Sequence, residues 1–568
     1  MMKRLILLCA VAALLAVAPL SVVAQDGNDI FANMTPEELF PGAVNEVEAE
    51  TAYQALLDAN LPDVREFFEG QTLTVAVQQA GVRGGISGPY YYWRPAFEAI
   101  TGATLEIVEI PSSDLFSTTA TDFLTGLNTY DVINVGAWYY GDYIPNGWIV
   151  PTDCYWDDAA AEGCDYSDFS IPMPAWDPAD VAAPLAALHQ WEGRWYGVLN
   201  DGDAQMLYFR RDILEDPEWQ ATYEAETGEP MPYPMETWQD LLDITTFFND
   251  RDWNGDGDED DGISLHLAAG GQGMFHFMSL SAPFTITPAD GDAPPAVSTT
   301  DNIYWFDPDT MEPLINSPGH VQALEFLQAL AATGSEAQFG WELAEAWDNF
   351  LNDNAVATFS WGDVISLSQD PSRSVITGNL GGARIPCSSV WYDRATDSVI
   401  EDAENPNCVG NTTGGSWHPV LSAFSDTPDL GYYLMAMHAV PSINFWNVTY
   451  GWTGVDPSSL SHLFPPRGTA TIEDYADAGF DASDAEQGIT GYGENLFSHP
   501  IYQTYLRIPG TIEFWDILDV RLNQVMTNQA TAQEGLDLIA EEWAAINEDF
   551  GVDAQLELYQ AAIGYTGE

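Results

Sequence analysis

The spacing of apolar positions predicts a parallel α/β region near the start of the folded chain. Gln71–Val77 alternates apolar and polar side chains as a strand does, and Trp93–Ile100 repeats its apolar positions at helical spacing. A strand at Thr104–Ile110, a helix at Ser113–Leu127 and a strand at Tyr130–Val135 follow. This alternation predicts a parallel sheet, whose ligands bind beyond the carboxyl ends of the strands.

Later segments predict a second α/β region that carries helical insertions. Helical periodicity recurs in five segments of this part: Thr237–Phe248, Gly319–Ala332, Ala344–Asn352, Leu430–Val440 and Ala532–Phe550. Short strands are predicted at Ala355–Phe359 and Ala383–Pro386. Ahead of the first strand, residues 25–70 form an acidic N-terminal extension with helical periodicity.

The amino terminus predicts secretion. Lys3 and Arg4 precede an apolar run, Leu5–Val17, and small residues lead up to Ala24. This is the order of charge, apolar core and small residues in a secretory signal peptide. We expect cleavage after Ala24 and a soluble product in the periplasm or outside the cell. A short membrane anchor at residues 1–24 is the alternative.

The charge balance argues against several classes of partner. Asp and Glu number 87 against 15 Lys and Arg, the net charge is −72, and Lys3 is the only lysine. Nucleic acids and anionic membranes attract basic surfaces, so we expect neither as a partner. The long uncharged stretch 431–455 is broken by proline and asparagine, so no membrane insertion is expected. The many uncompensated acidic residues repel one another. High salt would screen this repulsion and acidic surroundings would neutralise the carboxylates, and the sequence is compatible with both.

Cysteine usage predicts disulfide bonds. Four cysteines follow the signal segment: Cys154, Cys164, Cys387 and Cys408. An even count in an exported protein favours disulfides over metal sites. Four cysteines allow three pairings. We favour Cys154 with Cys164 and Cys387 with Cys408, because each pair brackets a polar, loop-like stretch.

Several passages between residues 71 and 550 carry the motifs of one family, in the family's order. They are Trp191–Val198, Asp201–Asp203, Leu207–Asp212, Pro234–Leu241, Glu342–Phe350, Ala355–Asp363, Gly414–Trp417 and Glu534–Trp543. Together they resemble the extracellular solute-binding proteins of carbohydrate ABC importers, the group that includes maltose-binding proteins. The resemblance implies a two-lobed α/β fold of periplasmic-binding-protein type II, with a hinge and a ligand cleft between the lobes.

The resemblance also implies a function and a division of the chain. A sugar, oligosaccharide or polyol would be captured between the lobes and delivered to an ABC transporter permease, without catalysis or a catalytic cofactor. One lobe is expected at residues 71–195 with 409–455, and the other at 196–408 with 456–568. We expect a monomer.

A carbohydrate site needs flat aromatic rings for the apolar sugar face and carboxylates for the hydroxyl rim. By resemblance, Asp203 is an acidic sugar ligand, and Trp361 and Trp515 are stacking rings. The candidate ligand-binding residues are Trp138, Tyr139, Asp201, Asp203, Trp361, Ser416, Trp417 and Trp515. The chain has 20 tryptophans, so packing in the core is the competing interpretation of each ring.

The sequence is also compatible with two other functions. Abundant carboxylates and tryptophans also suit a secreted polysaccharide hydrolase that uses paired acids, although 87 acidic residues make chance pairs frequent. A sugar sensor would use the same closing fold without transport.

The loop Asp252–Gly262 predicts a structural calcium site. Its candidate ligands are Asp252, Asn254, Asp256, Asp258, Asp260 and Asp261. Oxygens at alternate positions can converge on one hard cation, and Gly257 permits the sharp turn between them. Ile263 stands where an EF-hand has its bidentate Glu, so a late ligand has to come from Asp261 or elsewhere. A solvated acidic turn is the alternative.

Overall fold

Two main β-sheets organise the chain. The computed structural model describes residues 27–565 apart from 158–163, 165, 169, 287–295, 298–302, 412–416, 498–500 and 504. The segment 1–24, predicted as a signal peptide, lies outside the described residues. Within the described part, no helix combines the length and the apolar character that crossing a membrane requires.

The first sheet contains the predicted alternation of strands and helices. Its strand order is Thr104–Ile110, Thr72–Gln78, Val132–Val135, His418–Ser422 and Ile149–Val150. The first three strands are parallel. His418–Ser422 comes from a distant part of the chain and runs antiparallel to Val132–Val135. Both of these central strands are buried along their whole length, as in a sheet covered on both faces.

The second sheet has four strands, in the order Leu380–Ala383, Met206–Arg210, Ala355–Ser360 and Asp261–Ile263. Met206–Arg210 is antiparallel to both of its neighbours. The strand that was predicted at Ala383–Pro386 begins three residues earlier, at Leu380. Two glycines in this strand, on which Phe209 and Met206 pack, remove the alternation that would mark it in the sequence.

Helices surround the two sheets. Those of nine residues or more are Glu46–Asp58, Ser87–Thr101, Ser112–Thr125, Pro217–Thr227, Trp238–Phe248, Met274–Thr285, Pro318–Ala331, Leu343–Leu351, Pro428–Ala439, Pro441–Tyr450, Ala482–Phe497, Thr511–Met526, Ala532–Phe550 and Val552–Ile563. Capping boxes fix two of these starts, because Thr237 pairs with Asp240 and Thr531 with Glu534.

Short α-helices and small sheets add to these elements. The shorter α-helices are Asn28–Phe31, Pro36–Leu39, Arg65–Phe68, Tyr140–Tyr143, Ala183–Ala186, Arg211–Leu214, Asp363–Leu367 and Ile472–Asp477. The small sheets pair Val390–Asp393 with Ser398–Glu401, Gln190–Trp191 with Arg194–Trp195, and Ile501–Gln503 with both Val409–Asn411 and Ala296–Val297.

The acidic N-terminal extension packs against the helices beside the first sheet. Helix Glu46–Asp58 contacts helix Pro441–Tyr450, and Nε1 of Trp446 donates a hydrogen bond to Oγ1 of Thr51 at 3.3 Å. Phe31, Leu39 and Leu56 of the extension are fully buried. Despite its acidic composition, this segment adds apolar side chains to the core.

Both predicted disulfides are present. Cys154 is bonded to Cys164, and Cys387 to Cys408, so the local pairing is confirmed.

Candidate functional site

The chain passes between the two sheets three times, and the three crossings meet at Asp201. The first crossing carries Asp201 itself and leads into strand Met206–Arg210. The second ends at Trp417, whose backbone N–H donates to Oδ2 of Asp201 at 2.8 Å. The third contains Asp456, whose backbone N–H donates to Oδ1 of Asp201, also at 2.8 Å. The Asp201 carboxylate therefore ties together the segments that form a hinge.

Three more carboxylates surround Asp201. Oxygens of Asp201, Asp203 and Asp456 all lie within 4.8 Å of one another. Asp363 adjoins them, and its Oδ1 accepts a hydrogen bond from the Gly454 backbone N–H at 2.9 Å. All four residues are at most 4% exposed. We call them the hinge carboxylates.

Burial and mutual repulsion change the titration of the hinge carboxylates. Burial is the largest cause and raises the pKa of each of them above the usual range of an aspartic acid. The nearby charge of Asp363 raises the pKa values of Asp201, Asp203 and Asp456 further. None of the ion pairs formed by described arginines involves these four residues.

A cluster of aromatic rings lies between the two sheets. From the side of the first sheet, Trp138 and Trp417 pack with ring centroids 5.2 Å apart. Trp515 faces Trp138 at 5.1 Å. Phe275 links Trp515 at 5.6 Å with Trp361 at 5.7 Å. We call these five residues the aromatic cluster.

Local structure positions the rings of the cluster. Trp138 follows strand Val132–Val135, and its ring folds over Gly136, where a Cβ atom would lie 2.4 Å from the ring. Trp361 follows strand Ala355–Ser360, and Tyr208 OH donates to its backbone carbonyl at 2.8 Å. Trp138 and Trp361 therefore stand at the carboxyl ends of strands in different sheets, where α/β proteins place their ligands.

The rings are closely packed in this conformation. Members of the aromatic cluster are between 2% and 8% exposed. A solute can reach their faces only when the two sides separate. Nε1 of Trp515 is buried without a hydrogen-bond acceptor among the described residues, so the cluster retains an unused donor.

Most of the predicted ligand-binding residues meet at this place. Trp138, Trp361, Trp417 and Trp515 belong to the aromatic cluster, and Tyr139 packs beside it, 5.8 Å from Trp138. Asp201 and Asp203 are hinge carboxylates. Ser416 lies outside the described residues.

Sequence reasoning missed several neighbours. Phe275 joins the two halves of the aromatic cluster, Tyr505 packs 5.7 Å from Trp515, and His266 stacks 5.2 Å from Trp361. Asp363 and Asp456 complete the hinge carboxylates. None of these residues belongs to a recognisable motif except Asp363, which ends the segment Ala355–Asp363.

The side chains of the predicted calcium loop form hydrogen bonds with the backbone of the same loop. Its side-chain oxygens accept backbone N–H groups: Gly255 donates to Asp252 at 2.8 Å, Asp256 to Asn254 at 2.9 Å, and Asp258 to Asp256 at 2.9 Å. Nδ2 of Asn349 donates to Asp261 at 3.0 Å.

Asp260 is the buried member of this loop. Its Oδ1 accepts a hydrogen bond from Asn254 at 3.1 Å, whereas its Oδ2 is buried without a partner among the described residues. Burial, with repulsion from Asp256 and Asp252, raises the pKa of Asp260 to about 6. The charges of these three carboxylates therefore act on one another.

Two α/β sheets joined by three crossings, with an aromatic and acidic site between them, define a two-lobed binding protein. The chain belongs to the bacterial extracellular solute-binding protein family, whose model matches residues 93–437. The predicted family and fold class are thereby confirmed, as is the expectation of a binding protein of an exported class rather than an enzyme. Among curated protein sequences, none matches the chain.

Solved structures of solute-binding proteins share the fold at low sequence identity. An ABC transporter solute-binding protein of Agrobacterium radiobacter in complex with ribitol is 19% identical, with a TM-score of 0.58 over 84% of this chain and 99% of that one. A protein of Agrobacterium vitis with bound D-mannitol is 17% identical, with a TM-score of 0.58 over 85% and 99%. The maltose-bound MalE3 of T. maritima is 17% identical, with a TM-score of 0.58 over 84% and 100%.

Proposed function

We propose that this protein captures a carbohydrate, meaning a sugar, an oligosaccharide or a polyol, between its two lobes and delivers it to the permease of an ABC importer. Membership of the extracellular solute-binding family supports capture outside the cytoplasm. The bound ligands of the similar structures, ribitol, D-mannitol and maltose, support the carbohydrate class.

The aromatic cluster is the observation that carries this proposal. Its rings come from both sides of the crossings, so a sugar stacked between Trp138 and Trp515 would contact both lobes at once. Such a ligand stabilises the closed state because it binds that state better than the open one. The unused Nε1–H of Trp515 can donate to a sugar hydroxyl. Asp203 is our proposed acceptor for another hydroxyl.

Ligand screening followed by substitution tests the proposal. A panel of sugars and polyols is screened by thermal midpoint, since a ligand at 100 times its dissociation constant adds about 2.7 kcal/mol to the free energy of unfolding. For the best ligand, Trp361→Ala and Trp515→Ala should each weaken binding about tenfold or more, measured by calorimetry and by tryptophan fluorescence.

Trp219→Ala is the matched control. Trp219 packs on Phe248, away from the cluster, and its loss should leave affinity unchanged. If either alanine variant fails to fold, the corresponding Trp→Phe variant replaces it. Parent-like affinity in both folded variants would contradict the assignment of the site.

The processing, the oligomeric state, the lobes and the acidic loop of the chain complete the proposal. We propose that residues 1–24 are a cleaved signal peptide, that the protein acts as a monomer, and that the lobes are 71–195 with 409–455 and 196–408 with 456–568. We also propose that the loop Asp252–Gly262 binds one calcium ion with a structural role. Repulsion among Asp252, Asp256 and Asp260 supports the calcium site, because a bound cation would relieve it.

A further inference from the structure

We propose that Asp201, Asp203 and Asp456 form a second cation site, for a hard divalent ion of the calcium class, at the junction of the three crossings. This hinge site is separate from the loop Asp252–Gly262. It requires residues that lie 255 positions apart in the sequence, so no local motif marks it.

The spacing of the oxygens fits a single ion. One carboxylate oxygen from each of the three residues lies within 4.8 Å of the other two. Calcium binds carboxylate oxygens at about 2.3 to 2.6 Å, so two ligands on opposite sides of one ion lie roughly 4.8 Å apart. The three carboxylates can therefore contact one ion without moving apart.

Asp456 has a carboxylate oxygen to offer a cation. Oδ2 of Asp456 is buried and has no hydrogen-bond partner among the described residues, and the residue is 2% exposed. The carboxylate of Asp203, 3% exposed, lies beside that of Asp456 and interacts with it. A buried acceptor without a donor is costly, and a buried negative charge normally has a counter-charge or a metal.

Asp201 fixes the geometry of the site. Its Oδ1 accepts the backbone N–H groups of Asp456 at 2.8 Å and Asp203 at 3.3 Å, and its Oδ2 accepts that of Trp417. These bonds hold the three carboxylates together before any ion arrives. Gly362 is also required, because a Cβ atom there would lie 2.7 Å from Cγ of Asp456.

Protein charge does not neutralise the site. No ion pair of a described arginine involves these residues, and the nearest additional charge is the acidic Asp363. A divalent cation supplies the missing positive charge, and backbone carbonyls or water can complete its coordination. Because the ligands belong to two crossings and the third is bonded to Asp201, the ion would stabilise the hinge as a unit.

Calcium titration of a loop-neutralised protein tests the proposal. The full chain carries Asp252→Ala and Asp256→Ala, so that the loop makes no contribution. Calorimetry at neutral pH and constant ionic strength should show uptake of one calcium ion. Asp456→Asn and Asp203→Asn, which preserve shape, should each weaken this uptake about tenfold or more. Terbium, a calcium substitute, should give luminescence sensitised by the adjoining Trp417.

Asp142→Asn is the matched control, because Asp142 is also a largely buried aspartate but lies outside the site; its uptake should equal that of the loop-neutralised protein. Asp456 separates cation binding from solute binding, since it is not among the proposed solute ligands.

Absence of calcium uptake would overturn the site and would show that protons neutralise the carboxylates instead. Uptake unchanged in both Asn variants would overturn it too. If these variants fail to fold, absence of sensitised terbium luminescence in the loop-neutralised protein has the same consequence. Sugar titrations play no part in this test, so its outcome is independent of the proposed solute capture.

Discussion

Two groups of aspartates in this protein occupy opposite environments. The loop Asp252–Gly262 is a continuous run whose side chains mostly face solvent and accept hydrogen bonds from their own backbone. The hinge carboxylates come from distant segments and are almost completely buried, and the backbone N–H groups at the crossings donate mainly to Asp201. The same residue type is therefore close to water in one region and isolated from it in the other.

The difference shows which forces act on acidic residues in each region. Solvent and mobile salt screen the loop and the rest of the acidic surface. They cannot reach the hinge carboxylates, for which only a bound ion, a proton or a hydrogen-bond donor relieves the charge. Monovalent salt, divalent cations and pH should therefore affect the two groups differently.

The largest expected effect is that of monovalent salt on overall stability. If the proposed signal peptide is removed with Lys3 and Arg4, 13 arginines remain against 87 acidic residues. At low ionic strength this surface repels itself, and at molar salt the Debye length falls to about 3 Å. The melting temperature should rise by several degrees between dilute buffer and molar sodium chloride at neutral pH. A melting temperature independent of salt would contradict this view of the exposed acids.

Calcium at the loop should produce the next largest effect. At fixed ionic strength, calcium at 100 times its dissociation constant should stabilise the folded protein by about 2.7 kcal/mol per site. Asp252→Ala with Asp256→Ala should remove the contribution of the loop but preserve sugar binding, because the loop lies outside the aromatic cluster. Differential scanning calorimetry with and without calcium measures this gain. An equal gain in parent and double variant would assign the effect to another site.

Local patterns predicted the bounds of some elements closely, because these patterns depend on neighbouring residues, but they did not predict the helices Met274–Thr285, Ala482–Phe497 and Thr511–Met526. Strand Thr104–Ile110 and helix Ala532–Phe550 have the predicted bounds. Helix Ser87–Thr101 begins six residues before Trp93, where its start was predicted. The first two turns were missed because they contain glycine, proline and tyrosines, which pack on Trp452 and neighbouring rings and do not form a regular apolar stripe.

The site was predictable only where a motif accompanied it. Trp361 and Asp203 stand in segments that resemble the family, and the structure places them in the aromatic cluster and the hinge carboxylates. Phe275 and Asp456 have no such context, and they reach the site through tertiary packing of distant segments. In a chain with 26 phenylalanines and 87 acidic residues, no local signal separates these two from the others.

The smallest expected effect concerns Asp142, a largely buried carboxylate outside both groups. It lies on the short helix Tyr140–Tyr143, and its Oδ1 accepts a hydrogen bond from the Gly510 backbone N–H at 3.3 Å. Its Oδ2 is buried without a partner among the described residues. Burial raises the pKa of Asp142 to about 6. Burial is the largest cause of this rise, and the nearby charge of Glu513 adds to it.

The sign of the pH effect follows from proton binding. Between about pH 4 and pH 6 the folded state holds a proton on Asp142 that the unfolded state has lost, so the free energy of unfolding falls as pH rises through this window. Because the Asp142 side chain is still partly exposed, solvent screening reduces the loss to about 1 to 2 kcal/mol. Asp142→Asn keeps an oxygen for Gly510 and carries no charge. It should stabilise the protein at pH 7 and have little effect near pH 4, measured by urea unfolding.

Asp549→Asn provides the comparison with an exposed acid. Asp549 lies near the end of helix Ala532–Phe550 and is exposed, so its neutralisation should change the free energy of unfolding only slightly at either pH. Molar sodium chloride should reduce that small effect further and leave the Asp142→Asn gain at pH 7 nearly intact, because screening acts through solvent. An Asp142→Asn gain that salt abolishes would mean that water reaches Asp142, and the contrast between buried and exposed carboxylates would fail at this position.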